Sequence, residues 1–242
     1  MKIQVKDIGI EGHRVVIVDD AVPHAEGLVR VAAARVFAPV SGNSYPGLRH
    51  DFTPQSDPEW SYITYILKRY GPIMQDTFGF SAFRLASAAF SLMTRRPHEA
   101  HPMTRIPHYD EVGEAKYALL HFLTPQPQGG TAFFRHRRTG FERISAERKA
   151  AFHEGLRQDL AAYGEPAPGF MAGSNEAYEQ TAYFEGRFNR LLIYSGALLH
   201  SAQVPSNFTF SANPAKGRLT TNLFLNIPAE SQPPQTGADV RT

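Results

Sequence analysis

The chain predicts an α+β fold in which helices buttress a β-sandwich or barrel. Two observations carry this. Apolar residues recur at helical spacing in two stretches of the first 80 residues. From residue 82 onward the texture changes to short apolar runs separated by turns rich in Gly, Pro and Asn. No internal repeat and no linker-like stretch divides the two parts, so one domain is expected over 1–227. Its helical part covers 1–80 and its β core 81–227. A chain of 242 residues is long for one domain, but all-β sandwiches and barrels reach that length as single units.

Residues 2–19 read as two short strands, the second ending in Val15, Val16, Ile17 and Val18. Asp19 and Asp20 are placed to cap a helix with Pro23 in its first turn. Ala25, Leu28, Val29, Ala32 and Val36 give that helix its apolar stripe. Residues 42–58 read as a loop, and a second helix starts near Asp57 with Trp60, Ile63, Leu67 and Tyr70 on its buried side. Gly71 and Pro72 are expected to break or kink it, because proline lacks the amide hydrogen and crowds the preceding turn. Strands are expected at 82–94, 117–123, 131–135, 180–184, 190–195, 198–204 and 217–227. A helix is expected at 145–162, with Ser145 as its cap and Phe152, Leu156 and Leu160 on one face. The tail at 228–242, rich in Pro, Gln, Gly and Ser, is expected to be mobile.

Composition narrows the function. There is no cysteine, which excludes a disulfide scaffold, a thiol nucleophile and a thiolate zinc site, and fits a cytoplasmic location. The formal net charge of +2 gives little electrostatic reason to bind nucleic acid or an anionic membrane. The basic run at 135–138 reads as a solvated strand end. No run of 18 apolar residues is present, and the first 20 residues lack the order of a signal peptide. Neither a nucleophile elbow nor a phosphate-binding loop motif occurs.

The residues that carry chemistry begin at Pro107, His108, Tyr109 and Asp110. In extended chain, positions i and i+2 face the same way, so His108 and Asp110 can reach one ion. His200 ends an apolar run about 90 residues later, and Arg218 follows it by 18. Two histidines and one carboxylate on one face, with other positions open, form the facial triad of non-haem Fe(II) oxygenases. A basic residue after the second histidine suits an anionic cosubstrate. His98, His101, His121 and His136 are alternative ligands.

These pieces, in this order, resemble the Fe(II)- and 2-oxoglutarate-dependent dioxygenases, nearest the prolyl-hydroxylase-like branch. The resemblance rests on the H-x-D segment, the strand 119–123 with Gly129, Gly130, Thr131, Ala132 and Phe133 after its turn, the run 190–194 leading to His200, and Gly217 with Arg218. It covers about residues 80–227 and points to a less characterised subfamily. It implies a double-stranded β-helix, the jelly-roll or cupin-like core, over 81–227. It implies Fe(II) held by His108, Asp110 and His200, and the far carboxylate of 2-oxoglutarate paired with Arg218. Thr220 and Asn222 share the Arg218 face and add hydrogen bonds to the cosubstrate. The branch often carries a tyrosine late on the strand after H-x-D. Phe122 stands there in this chain, so Tyr117 or His121 is expected to substitute.

The implied reaction hydroxylates a peptide, amino acid or small molecule while 2-oxoglutarate becomes succinate and CO2. Retention of Asp110 favours hydroxylation over halogenation. Lids over the site are expected from the loop with Tyr45 and Arg49, from 98–101 and from 164–175. A homodimer through the N-terminal helices is a further expectation. The alternative is a non-catalytic or differently metallated cupin-like binding protein, which has no need of Arg218.

Overall fold

In the computed structural model, which describes residues 1–40, 45–54, 57–113, 115–126 and 128–232, two antiparallel sheets face each other with helices on their outer sides. The strands are β1 (Lys2–Ile8), β2 (His13–Asp19), β3 (Ala38–Pro39), β4 (Gly47–Asp51), β5 (Arg84–Met93), β6 (Lys116–Phe122), β7 (Gly130–His136), β8 (Tyr178–Glu185), β9 (Arg190–Ser195), β10 (His200–Gln203) and β11 (Leu219–Asn226). The helices are α1 (Glu26–Ala33), α2 (Glu59–Phe78) and α3 (Ala146–Tyr163). The major sheet runs β1-β2-β9-β6-β11-β5-β4-β3, and the minor sheet β10-β7-β8.

Alternation along each strand sorts its side chains into layers. Val16, Val18, Leu119, Leu191, Leu223 and Leu225 point outward, to a core shared with α1 and α2. Val15, Ile17, Leu120, Phe122, Leu192 and Tyr194 point inward, to a second core closed by Phe133 of the minor sheet. On the far side of the minor sheet, Ala132, Phe134 and Tyr178 meet Phe152 of α3. Burial of each large apolar side chain is worth roughly 1.5–3 kcal/mol, so these three cores set the layering.

The second helix departs from expectation. It runs through Pro72 without a break. Tyr70 and Met74 on either side of the proline are both fully buried and hold each half of the helix to the sheet. The carbonyl that loses its partner belongs to exposed Lys68, where water can serve it. The helix ends at Gly79, whose positive φ of 76° lets its N–H return to the Gln75 carbonyl at 2.8 Å. The first helix is also capped differently. Ala25 occupies the cap position without a side-chain bond, and Asp19 pairs with Arg190 (2.6 and 3.1 Å). Val36 lies past the helix end and is 84% exposed. Ser145 caps α3 by accepting the Arg148 N–H.

The N-terminal part is less helical than expected. Inside the predicted loop at 42–58, β4 pairs with β5 and with β3, extending the edge of the major sheet. The first residues of the predicted tail are packed. Ser231 is buried and its carbonyl accepts the Ser81 N–H at 3.0 Å, so 228–232 pack on the body, while the rest of that tail lies outside the described residues. Among the described residues no helix is long and apolar enough to cross a membrane.

Candidate metal centre

His108 and Asp110 lie on a segment that touches the minor sheet as a single bridge. His108 exchanges both backbone hydrogen bonds with His200, each at 2.9 Å, which sets the two imidazoles side by side. Their ring centroids are 4.5 Å apart. The Asp110 N–H donates to the Gly196 carbonyl at 2.7 Å. A Cβ on Gly196 would stand 3.2 Å from the Asp110 Cβ, so the glycine lets the aspartate lie close to the turn before β10. His108 Nε2 is 4.0 Å from Asp110 Oδ1, and His200 Nε2 is 3.7 Å from Asp110 Oδ2. One donor atom from each of the three lies within 4.8 Å of the others. The His108 side chain is 51% exposed, that of Asp110 17% and that of His200 7%.

The donor set fits a divalent cation. His200 Nδ1–H donates to the Leu198 carbonyl at 2.8 Å, which leaves the Nε2 lone pair turned to Asp110. Burial holds His200 down to about 4, and it is therefore neutral at pH 7. His108 is also lowered to about 4, by burial and then by the adjacent His200. Burial raises the Asp110 carboxyl, opposed by His108 and Lys116. Asp110 Oδ2 is enclosed and makes no hydrogen bond, a cost that a proton or a bound cation would relieve.

The three donors line a cavity of about 570 Å³ between the sheets, within the usual size of small-molecule sites. Arg218, just before β11, forms another part of its wall and is 4% exposed. One of its terminal nitrogens donates to the Gly130 carbonyl at 3.1 Å, and its guanidinium carbon lies 5.3 Å from the Phe122 ring centre. Its Nε is enclosed without a partner, and no described carboxylate pairs with it. Around it stand Tyr45, Tyr194 and Tyr183, and burial pushes its pKa down. A buried guanidinium without an acid is costly, and an anionic ligand offsets the cost.

The other predicted residues divide. Asn222 lines the cavity, and Thr220 stands behind it, its hydroxyl donating to Asn222 Oδ1 at 2.8 Å. Tyr117 does not join them. It faces the helices and packs on Phe78 and Phe80, ring centres 4.6 and 5.1 Å away. His121 has the same parity. Its Nε2–H donates to Asn189 Oδ1 (3.0 Å) and its Nδ1 accepts from the Tyr62 hydroxyl (3.1 Å). His136 is buried against Asp159 at 2.7 Å, and His98 is exposed. His101 reaches the cavity rim, together with Phe170 from 164–175. Phe170 in turn meets Phe210 of the loop before β11, centroids 6.2 Å apart.

Enclosed hydroxyls of Tyr45, Ser91 and Thr131 also line the cavity without hydrogen-bond partners. Ser91 and Thr131 carry no signal in the sequence, because only the register of β5 and β7 brings them inward. A second cluster, Glu11, His13 and Glu142, also brings donor atoms together. There the carboxylates are already engaged, Glu142 by the Ile10 and Glu11 N–H groups and Glu11 by Arg148.

The model of a family described as a family of unknown function, DUF6445, matches residues 1–225. No curated protein matches the sequence. Among solved structures, HygX from Streptomyces hygroscopicus, with nickel and 2-oxoglutarate bound, superposes with a TM-score of 0.50 at 12% identity, covering 89% of this chain and 83% of that one. The 2-oxoglutarate complex of the viral collagen prolyl hydroxylase vCPH from Paramecium Bursaria Chlorella virus-1 superposes with 0.50 at 10% identity, covering 91% and 100%. AviO1 from Streptomyces viridochromogenes Tue57 gives 0.51 at 14% identity, covering 89% and 90%. At these identities the likeness is one of fold: the chain has the fold found in 2-oxoglutarate–Fe(II) oxygenases.

Proposed function

The chain belongs to the DUF6445 family, and we propose that it is a non-haem Fe(II)- and 2-oxoglutarate-dependent oxygenase. It hydroxylates a peptide, amino acid or small molecule and converts 2-oxoglutarate to succinate and CO2. The observation that carries this is one cavity with a His-Asp-His donor set on one wall and a buried, acid-free arginine on another. In this reading the two sheets are the halves of a double-stranded β-helix.

His108, Asp110 and His200 would hold Fe(II) through two neutral imidazoles and one carboxylate. With O2 as the oxidant, bound Fe(II) and 2-oxoglutarate would supply the oxidising chemistry. The protein's part is placement. The planar fork of Arg218 takes the far carboxylate of 2-oxoglutarate, and the Phe122 ring beneath it holds the fork in place. Tyr45, Ser91 and Thr131 offer hydroxyl donors at the same cavity, where Tyr117 and His121 cannot reach. The Leu198 carbonyl keeps His200 in the ligating tautomer. Phe170 lines the cavity and meets Phe210 of the loop before β11, a contact that would help this side exclude water.

The test is slow turnover of 2-oxoglutarate in the absence of substrate. Purified protein given Fe(II), ascorbate and oxygen is expected to form succinate. His200→Ala and Asp110→Ala are expected to lower the rate by about 100-fold or more. Arg218→Met is expected to raise the 2-oxoglutarate concentration needed by about 30-fold or more, the loss of a charge-assisted fork. Succinate formed equally by all four proteins, or by none, overturns the proposal.

A further inference from the structure

A second guanidinium reaches the cavity. Arg49 lies on β4 opposite Ser91 of β5, and Ser91 lies opposite Thr220 of β11. Paired residues share a face, so these three form one row on the wall that looks toward the minor sheet. Arg49 Nε is enclosed without a hydrogen-bond partner. Its terminal nitrogen reaches Asp51 Oδ1 at 3.4 Å, and the Asp51 side chain is 77% exposed. Tyr45 stands near both arginines. Burial pushes its hydroxyl pKa up, while Arg218 and then Arg49 pull it down.

The two arginines are not equivalent. Arg218 is deep and without an acid, whereas the Arg49 side chain is 24% exposed and nearer the mouth. Of the two carboxylates of 2-oxoglutarate, one would pair with Arg218 and the other would face the metal centre, so neither is left for Arg49. Arg49 is therefore left facing the cavity with only a solvent-exposed partner. Met93, Met103 and Phe170 give the same cavity an apolar lining.

We infer that the substrate carries a carboxylate held by Arg49, with an apolar body lying against Met93, Met103 and Phe170. This rests on the reading of Arg218 as the cosubstrate arginine. The charge balance selects a monoanion. One guanidinium already beside Asp51 matches the two oxygens of a carboxylate, whereas a phosphate dianion would meet Asp51 repulsion with a single cation to answer it.

The experiment is anaerobic calorimetric titration of protein loaded with Fe(II) and saturating 2-oxoglutarate. The probes are matched pairs: N-acetylphenylalanine, N-acetylleucine, hexanoate and benzoate, each against its primary amide. At least one acid is expected to bind about tenfold tighter than its amide. Arg49→Gln is expected to remove that preference. Asp51→Asn, a change at an exposed side chain, is expected to tighten the acid about threefold by removing the competing carboxylate. The inference is overturned if no acid binds better than its amide, or if the preference survives in Arg49→Gln. It is also overturned if Asp51→Asn leaves acid affinity unchanged or weaker. Loss of the Fe(II)–2-oxoglutarate absorption band in Arg49→Gln overturns it too, because Arg49 would then serve the cosubstrate. Absence of that band in the unaltered protein is a different failure, that of the oxygenase reading itself.

Discussion

His121 is fully buried behind the cavity, in a chain of hydrogen bonds with Tyr62, Thr221 and Asn189. Burial lowers its pKa from 6.5 to about 4. The unfolded chain therefore binds the proton more readily than the folded one between those values. Protonation drives unfolding, and stability falls as pH drops from about 6.5 to about 4, by roughly 3 kcal/mol for a shift of this size. Urea midpoints of the apo-protein at pH 7 and pH 5 check this: the difference is expected to shrink in His121→Gln, and an unchanged difference contradicts it. The same residue shows where the sequence stops speaking. His108 and Asp110 are legible as candidates from their local spacing, and His200 and Arg218 from their order along the chain. Whether Tyr117 or Ala118 faces the cavity is not, because β6 is buried on both faces and has no hydrophobic alternation to reveal its parity. The structure turns Ala118 inward and Tyr117 toward the helices.

At the scale of elements, α2 is a helix made by packing. Proline inside it removes one hydrogen bond and crowds the turn before it, yet Tyr62, Ile63, Ile66, Tyr70 and Met74 hold the whole length to the sheet. Pro72 itself is exposed and touches no core. Pro72→Ala is therefore expected to stabilise the protein by about 1–2 kcal/mol, the regained helix propensity less the unfolded-state freedom that proline had restricted. A higher urea midpoint at unchanged slope is the expected result, and a lower midpoint contradicts the account. The break or kink expected from Gly71 and Pro72 followed local propensity; the helix is not broken there, because the tertiary contacts hold both halves. Strands β3 and β4 were hidden for a related reason. They are short, β3 two residues at the sheet edge and β4 five residues beside it with Arg49, His50 and Asp51, and such strands carry little apolar pattern.

At the scale of the molecule, the layers assign the work. The outer helices and their core stabilise the back of the major sheet, and the inner faces of both sheets enclose the cavity. The N-terminal strands are part of that enclosure: β4 places Arg49 on the inner wall, and the turn before it places Tyr45. The helical character of this part and the β character of the remainder were legible from periodicity. The sheet order, which brings residues 45–51 beside Arg218, depends on contacts far apart in sequence. In the proposed function one cavity holds a metal at His108, Asp110 and His200 and a 2-oxo acid anchored on Arg218. The most direct measurement is anaerobic titration of the apo-protein with Fe(II) and then 2-oxoglutarate, followed by visible absorption. A weak charge-transfer band is expected in the unaltered protein, absent in His200→Ala and weakened in Arg218→Met. Fe(II) binding with no band on addition of 2-oxoglutarate, or a band untouched by both substitutions, would contradict the account.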